Sequence, residues 1–302
     1  MSVWLPTATC RPETCLADPA PAVAHPRRVL RLTACLVTVL AGVVLSLPVR
    51  LLPQDTRDRL TRCWSRLVLR ALGVTVHLGT PGGGVHPGSA VGGGTLVVAN
   101  HVSWLDIPLI AAGRPGRSLA KTEVRRWPVL GPLVAWGGTV FLDRDRLRTL
   151  PDTVTAVAEV LRSGHPVIVF PEGSTWCGRE SGRFRPALFQ AAVEAGAFVQ
   201  PVTIRYRLAD GRPTSVPAFV GDDGLLTSLA RVVAVRGLVA EVTFLPPIPP
   251  PAAPGAGLSG AGRSGAGQAG TGQTATGRSG AGRSEARREL ARAAQAAVEG
   301  VR

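Results

Sequence analysis

The chain has 302 residues, 45% hydrophobic and 18% charged, which is enough for one large core and excludes a wholly disordered protein. Its net charge of +14 calls for an anionic partner: nucleic acid, an anionic membrane surface or a phosphorylated substrate. Aromatic residues are only 5%, with a single tyrosine, too few for a base-stacking surface, so no nucleic-acid partner is expected.

Residues 1–25 are irregular and rich in proline and alanine, and they read as disordered. Arg27, Arg28 and Arg31 then precede an uncharged apolar run, Leu32–Leu47. That run is just short of the ~20 residues that span a bilayer. Flanking arginines would hold their side of it in the cytoplasm. A single span, a helix lying partly in the interface and a buried soluble helix all fit the run. A signal peptide fits least, because the run starts late and no A-x-A site follows. From Asp55 to Leu72 the pattern changes. Leu60, Cys63, Trp64, Leu67, Val68 and Leu72 fall at helical spacing, with Arg57, Arg59, Arg62, Arg66 and Arg70 between them. This predicts a basic amphipathic helix of the kind that lies on membranes, with an ordinary surface helix as the alternative. Residues 26–72 together form a predicted membrane-anchoring unit.

An α/β alternation follows over 73–247. Strands are predicted at Val74–Leu78, Thr95–Ala99, Thr139–Leu142, Val167–Phe170, Phe198–Tyr206 and Val239–Leu245. Helices are predicted near Pro108–Ala112, over Thr153–Arg162 and over Pro186–Ala195, the last two each ending before a glycine. The expected fold class is α/β: a mixed, largely parallel sheet flanked by helices, preceded by the membrane-associated helical segment. Residues 248–283 are rich in proline, glycine and alanine and read as a flexible linker. A C-terminal helix is expected within 284–302, with Leu290, Ala294, Ala297 and Val298 on a face that docks on the domain.

Polar residues gather where predicted strands end. The first group is Asn100, His101, Ser103 and Asp106. On a regular helix, five residues turn through roughly 500°, which would separate His101 from Asp106 by about 140°. His101 is therefore expected in the strand-to-helix turn, from which its ring could swing back to Asp106. A carboxylate on one ring nitrogen fixes the tautomer and frees the other nitrogen as a base. The competing reading is structural: Ser103-x-x-Asp106 resembles a capping box and would explain both residues without catalysis. It leaves His101 and Asn100 unexplained. The second group ends at Asp143-Arg144, where Arg144 is a candidate anion ligand. The third is Phe170-Pro171-Glu172-Gly173-Ser174-Thr175, a buried strand running into a carboxylate and a glycine. Glu172 could bind substrate hydroxyls, and Gly173 would permit close backbone approach.

Other chemistries fit less well. The sequence contains no G-x-S-x-G elbow, no Walker A loop and no H-E-x-x-H. The five cysteines are odd in number and show no zinc-ligand pairs. Free thiols in a reducing compartment are expected, with neither metal nor cofactor, and Cys177 reads as a packed or free thiol.

Four motifs occur in order: Asn100-His101-x-x-x-x-Asp106, Gly138-x-x-Phe141-x-x-Arg144, Phe170-Pro171-Glu172-Gly173 and Val199-x-Pro201-Val202. With them, roughly Leu51 to Pro247 resembles the glycerolipid (lysophospholipid) acyltransferases, specifically the 1-acylglycerol-3-phosphate acyltransferase family. Lys121-x-Glu123 with Pro128 and Gly131 is similar to the family's segment between its first two motifs. The resemblance implies that His101 is a general base oriented by Asp106. It deprotonates a lysolipid hydroxyl, which attacks the thioester of acyl-CoA or acyl carrier protein directly. Arg144 would hold the acceptor's phosphate, Glu172 and Gly173 would shape the acceptor site, and Pro201 would line the acyl wall. Lys121, Ser174 and Thr175 are further candidate substrate contacts, with Asn100, Ser103 and Pro171 as site support. Implied partners are a lysolipid, the acyl donor and an anionic membrane, at the cytoplasmic face of the cell membrane. One departure stands out. Phosphatidate-forming members usually continue Glu-Gly with Thr-Arg, whereas this chain has Ser174-Thr175, leaving Arg179, Arg183 or Arg185 as possible substitutes. Lysophosphatidate is the leading acceptor; lyso-ornithine lipid or another lysophospholipid is the alternative. A thioester hydrolase and a non-catalytic basic membrane-binding protein are the competing classes.

Overall fold

In chain order, the computed structural model opens with α1 (Pro12–Cys15), α2 (His25–Val49), α3 (Gln54–Ala71), β1 (Val74–Gly79), β2 (Thr95–Ala99), α4 (Asp106–Gly113), β3 (Arg117–Lys121) and β4 (Val140–Leu142). It continues with α5 (Leu150–Arg162), β5 (Val167–Val169), α6 (Phe189–Ala195), β6 (Phe198–Leu208), α7 (Leu225–Ala234), β7 (Leu238–Phe244) and α8 (Ala275–Glu299). The structure describes residues 8–16, 19–80, 94–121, 131, 139–142, 150–250 and 275–301.

The strands form one seven-stranded sheet in the order β1-β7-β6-β2-β5-β3-β4. Every pairing is parallel except β6–β7. β2 lies at the centre, between β6 and β5, and all five of its residues are buried. Its apolar, valine-bearing sequence suits a strand covered on both faces. Alternation along β2 divides the core. Val97 and Ala99 pack with Val68, Leu69 and Leu72 of the α3 region, Leu109 and Ile110 of α4, and Val232 and Val233 of α7. Leu96 and Val98 point the other way, toward Val157 and Leu161 of α5, Phe189 of α6, and Leu290 and Ala294 of α8. Helices thus cover both faces, as the fold class predicted.

The N-terminal unit differs in detail from the sequence expectation. α2 covers 25 residues, well beyond Leu32–Leu47, and takes in Arg27, Arg28 and Arg31. At ~1.5 Å per residue it is about 37 Å long, enough for a bilayer's ~30 Å hydrocarbon core. Its most apolar stretch is only 6% buried. Its base is tied to the domain: the Arg31 guanidinium donates to the carbonyls of Val233 and Val235 at 2.8 and 2.7 Å. α3 then runs back to the sheet, where Leu69 and Leu72 are fully buried. Trp64 of α3 donates its indole N–H to the Thr38 carbonyl of α2 at 3.0 Å and lies over Gly42, where a Cβ would come within 2.5 Å of the ring. Two arginines assigned to a membrane surface have a different task. Arg62 and Arg66 donate to the last carbonyls of α4, Gly113 and Ala112. Leu60, Cys63 and Leu67 stay exposed, while Ser65, Val68 and Leu69 face the core.

Two further differences have clear causes. Within the segment expected to be disordered, residues 8–16 and 19–24 pack on the domain, burying Cys10 and Val23. β3 was not anticipated because RSLAK offers one large apolar residue and no alternation. Most of the linker, residues 251–274, lies outside the described residues. The C-terminal helix starts earlier than expected, at Ala275, and docks through Leu290, Ala291, Ala294 and Val298.

Candidate active site

The site lies at the C-terminal end of β2, where the strand stops and α4 has not yet begun. Asn100 fixes this end of the strand. Its side-chain amide donates to the Ile204 carbonyl at 2.9 Å and accepts the Ile204 N–H at 2.8 Å, extending the β2–β6 ladder by one side chain. His101 follows in irregular backbone, and Asp106 is the first residue of α4. The turn therefore does what helical spacing forbids: His101 Nδ1 lies 2.8 Å from Asp106 Oδ2.

Asp106 is fully buried and saturated with donors. Its Oδ2 also accepts the backbone N–H groups of Val102 and Ser103, at 2.7 and 2.8 Å. Its Oδ1 accepts the Tyr206 hydroxyl at 2.6 Å. A carboxylate so placed is an acceptor only, so Nδ1 carries the shared proton and Nε2 keeps its lone pair. The carboxylate reaching back to the Ser103 N–H is half of a capping box. The other half differs, because Ser103 Oγ accepts from Leu105 at 3.3 Å. One residue thus serves both readings of the motif: Asp106 braces the helix start and holds the imidazole.

The third motif closes over the first. Phe170 stacks on the His101 ring, centroids 3.9 Å apart and planes 13° from parallel. Glu172 is buried, and its Oε2 accepts the His101 backbone N–H at 3.0 Å. The Trp176 N–H donates to the His101 carbonyl at 2.8 Å. Gly173 has φ +75°, a left-handed turn conformation open to glycine at little cost. The His101 side chain retains 17% exposure against none for Asp106, so the ring is the part of the pair that solvent or substrate reaches.

The remaining candidates divide. Thr175 turns inward, its hydroxyl donating to the Phe219 carbonyl, while Phe219 N–H donates to Val102. Ser174 is half-buried in the same loop. Arg179, offered as a substitute phosphate ligand, donates to the Cys15 carbonyl and to Ser215 Oγ, both at 3.2 Å. Arg183 and Arg185 are exposed. Pro171 and Pro201 are buried, Pro201 in β6 opposite Val98. Asp143 and Arg144 lie outside the described residues, as does the Lys121 side chain. Sequence reasoning missed Tyr206 and the stacking role of Phe170. Tyr206 had one signal, as the chain's single tyrosine. Burial pushes its hydroxyl well above the usual pKa, and the adjacent Asp106 carboxylate adds to the shift. It therefore remains a donor.

The chain is similar to known proteins in sequence and in fold. The Acyltransferase family model matches residues 85–205. A 1-acyl-sn-glycerol-3-phosphate acyltransferase of Neisseria meningitidis is 40% identical over 191 residues, 63% of this chain and 72% of that protein. A lyso-ornithine lipid O-acyltransferase of Pseudomonas aeruginosa is also 40% identical, over 197 residues, 64% of this chain and 71% of that one. The crystal structure of a 1-acyl-sn-glycerophosphate acyltransferase from Thermotoga maritima shares the fold, with TM-score 0.54 and 18% identity over 87% of this chain and 96% of that one. The chain belongs to the lysophospholipid acyltransferase family and is a lysolipid O-acyltransferase.

Proposed function

We propose that the chain transfers a fatty acyl group from acyl-CoA or acyl carrier protein to 1-acylglycerol-3-phosphate, giving phosphatidic acid, with His101 as general base. The observation that carries this reading is the partly exposed imidazole held at 2.8 Å by a buried, fully hydrogen-bonded carboxylate. Nε2 takes the proton of the acceptor hydroxyl as its oxygen attacks the thioester carbonyl. The ester C–O bond forms, the C–S bond breaks, and His101 returns the proton to the departing thiolate. Asp106 stabilises the imidazolium between these steps. No acyl-enzyme is needed. Glu172 and Gly173 border the acceptor side; from sequence pattern alone, Arg144 is assigned to the acceptor's phosphate and Lys121 to substrate binding.

Lyso-ornithine lipid is the second reading for the acceptor. Two observations favour it: Ser174-Thr175 in place of Thr-Arg, and relatives of both activities at 40% identity. A panel of lysolipids with radiolabelled acyl-CoA separates the two. Acylated product with lysophosphatidate, in large excess over lyso-ornithine lipid, supports the first reading; the reverse order replaces it with the second.

The enzyme works on the cytoplasmic face of the membrane, where acyl thioesters are found. α2 leaves the domain at Arg31 and α3 returns to it at Leu69, so both ends of this hairpin are held on one side. A full crossing by α2 would force α3 to recross with Arg57, Arg59 and Arg62. The hairpin instead dips into one leaflet, leading with the exposed Leu47, Leu51 and Leu52.

A further inference from the structure

Three cysteines converge away from the His101 site. Cys10 precedes α1, Cys15 is its last residue, and Cys177 lies just beyond the Glu172–Thr175 loop. Their sulfurs all lie within 4.8 Å of one another. Cys10 and Cys177 are each 3% exposed, Cys15 is half-buried, and all three are free thiols.

We propose that Cys10, Cys15 and Cys177 bind a thiophilic metal ion, with zinc(II) as the fitting species, and that the ion fastens the N-terminal arm to the loop bearing Glu172. Tetrahedral zinc with bonds of about 2.3 Å holds its sulfurs roughly 3.8 Å apart, so the set need tighten by about 1 Å at most. Against the expectation of no zinc-ligand pair, Cys10-x-x-x-x-Cys15 sits at the upper end of the usual spacing for one. The third ligand comes from 162 residues further along the chain (Cys15 to Cys177), which is why the sequence did not reveal the site. A disulfide would join two of these sulfurs and strand the third, and it would need an oxidant. Metal binding needs none: each S–H releases its proton and forms a sulfur–metal bond.

The surroundings suit the charge. Three thiolates around a divalent cation leave one negative charge, and the Arg179 guanidinium lies 3.2 Å from the Cys15 carbonyl. The Thr14 hydroxyl is 3.7 Å from the Cys15 sulfur, and Ser215 donates to the Cys15 carbonyl. Burial pushes the Cys10 thiol up to about 12, so without metal it holds its proton. Cys15 is also pushed up by burial, but hydrogen bonds from Thr14 and the Arg11 backbone, then from Cys177 and Cys10, leave it below its usual value. The same arm and loop are joined by Thr9 Oγ1 donating to Glu180 at 3.1 Å. Trp176, next to Cys177, is the residue that donates to the His101 carbonyl. A metal here would brace that contact from outside the active site.

The test uses the full chain in detergent, reduced and stripped of metal, then treated with N-ethylmaleimide with and without zinc(II). Peptide mass spectrometry should find modification of Cys10, Cys15 and Cys177 slowed at least about tenfold by zinc, and Cys63 unaffected. Competition with a chromophoric chelator should give one zinc per chain, and cobalt(II) should give a thiolate charge-transfer band. Cys177→Ser should abolish the band and the zinc-dependent rise in Tm, whereas Cys63→Ser keeps both. Equal modification with and without zinc overturns the proposal. So does zinc binding that survives Cys177→Ser, or a disulfide joining two of the three in the purified protein.

Discussion

Asp106 spends every lone pair the fold can reach. Its four donors come from three places: the His101 ring, the turn backbone at Val102 and Ser103, and Tyr206 across the sheet. Asp106→Asn keeps the shape but puts an amide against these donors and loses the charge that steadies the imidazolium. We expect kcat to fall by about 10²–10⁴-fold, with a smaller change in KM; steady-state kinetics on vesicle-presented acceptor would check this. Tyr206→Phe leaves Oδ1 buried without its hydroxyl donor and should cost about 1–3 kcal/mol in stability, read from thermal melts. The same tyrosine sets an alkaline limit. Its folded pKa is raised above the ordinary ~10, so its contribution is complete below that pH and is lost as pH rises beyond it. Because it is the chain's single tyrosine, tyrosinate absorbance should remain absent on titration past pH ~10 and rise only with unfolding. Titration at the ordinary pKa in the folded chain would contradict its buried bond to Asp106.

At the scale of elements, the turn between β2 and α4 was the most legible feature. The 3.6-residue period alone required His101 to leave the helix, and the chain does so. What the sequence withheld was contact at long range. Glu172 meets His101 across 71 residues and Tyr206 meets Asp106 across 100, and neither spacing has a local signature. The arginines of α3 were misassigned in part for the same reason. Their helical spacing is compatible with a membrane surface, and α4's C-terminal carbonyls, which claim Arg62 and Arg66, lie about 50 residues away. Gly173→Ala forces a side chain into a left-handed turn at a cost of about 1–2 kcal/mol. It should lower Tm and raise KM for the acceptor more than for the acyl donor. Gly42→Leu drives a side chain into Trp64 and should separate α2 from α3, seen as faster proteolysis of the hairpin.

Across the whole molecule, one sheet performs two tasks. Its central strand ends at the His101 turn, and the link from α7 into β7, through the Val233 and Val235 carbonyls, anchors α2. The ring proposed to react and the hairpin proposed to enter the membrane are thus tied to one sheet, as the proposed lipid acceptor would require. Leu47, Leu51 and Leu52 changed together to Ser should lower vesicle binding by at least about 10²-fold, since each buried leucine contributes about 1.5–3 kcal/mol. Flotation assays would measure the loss, and activity on short-chain, soluble acceptor should persist. The central claim is that His101 activates a lysolipid hydroxyl against a thioester. The most direct measurement is CoA release from acyl-CoA, with and without lysolipid, by the wild type and His101→Ala. The account predicts release that depends on lysolipid in the wild type and falls by about 10²–10⁴-fold in the variant, while vesicle binding is unchanged. Release that ignores the lysolipid, or that survives His101→Ala, would contradict it.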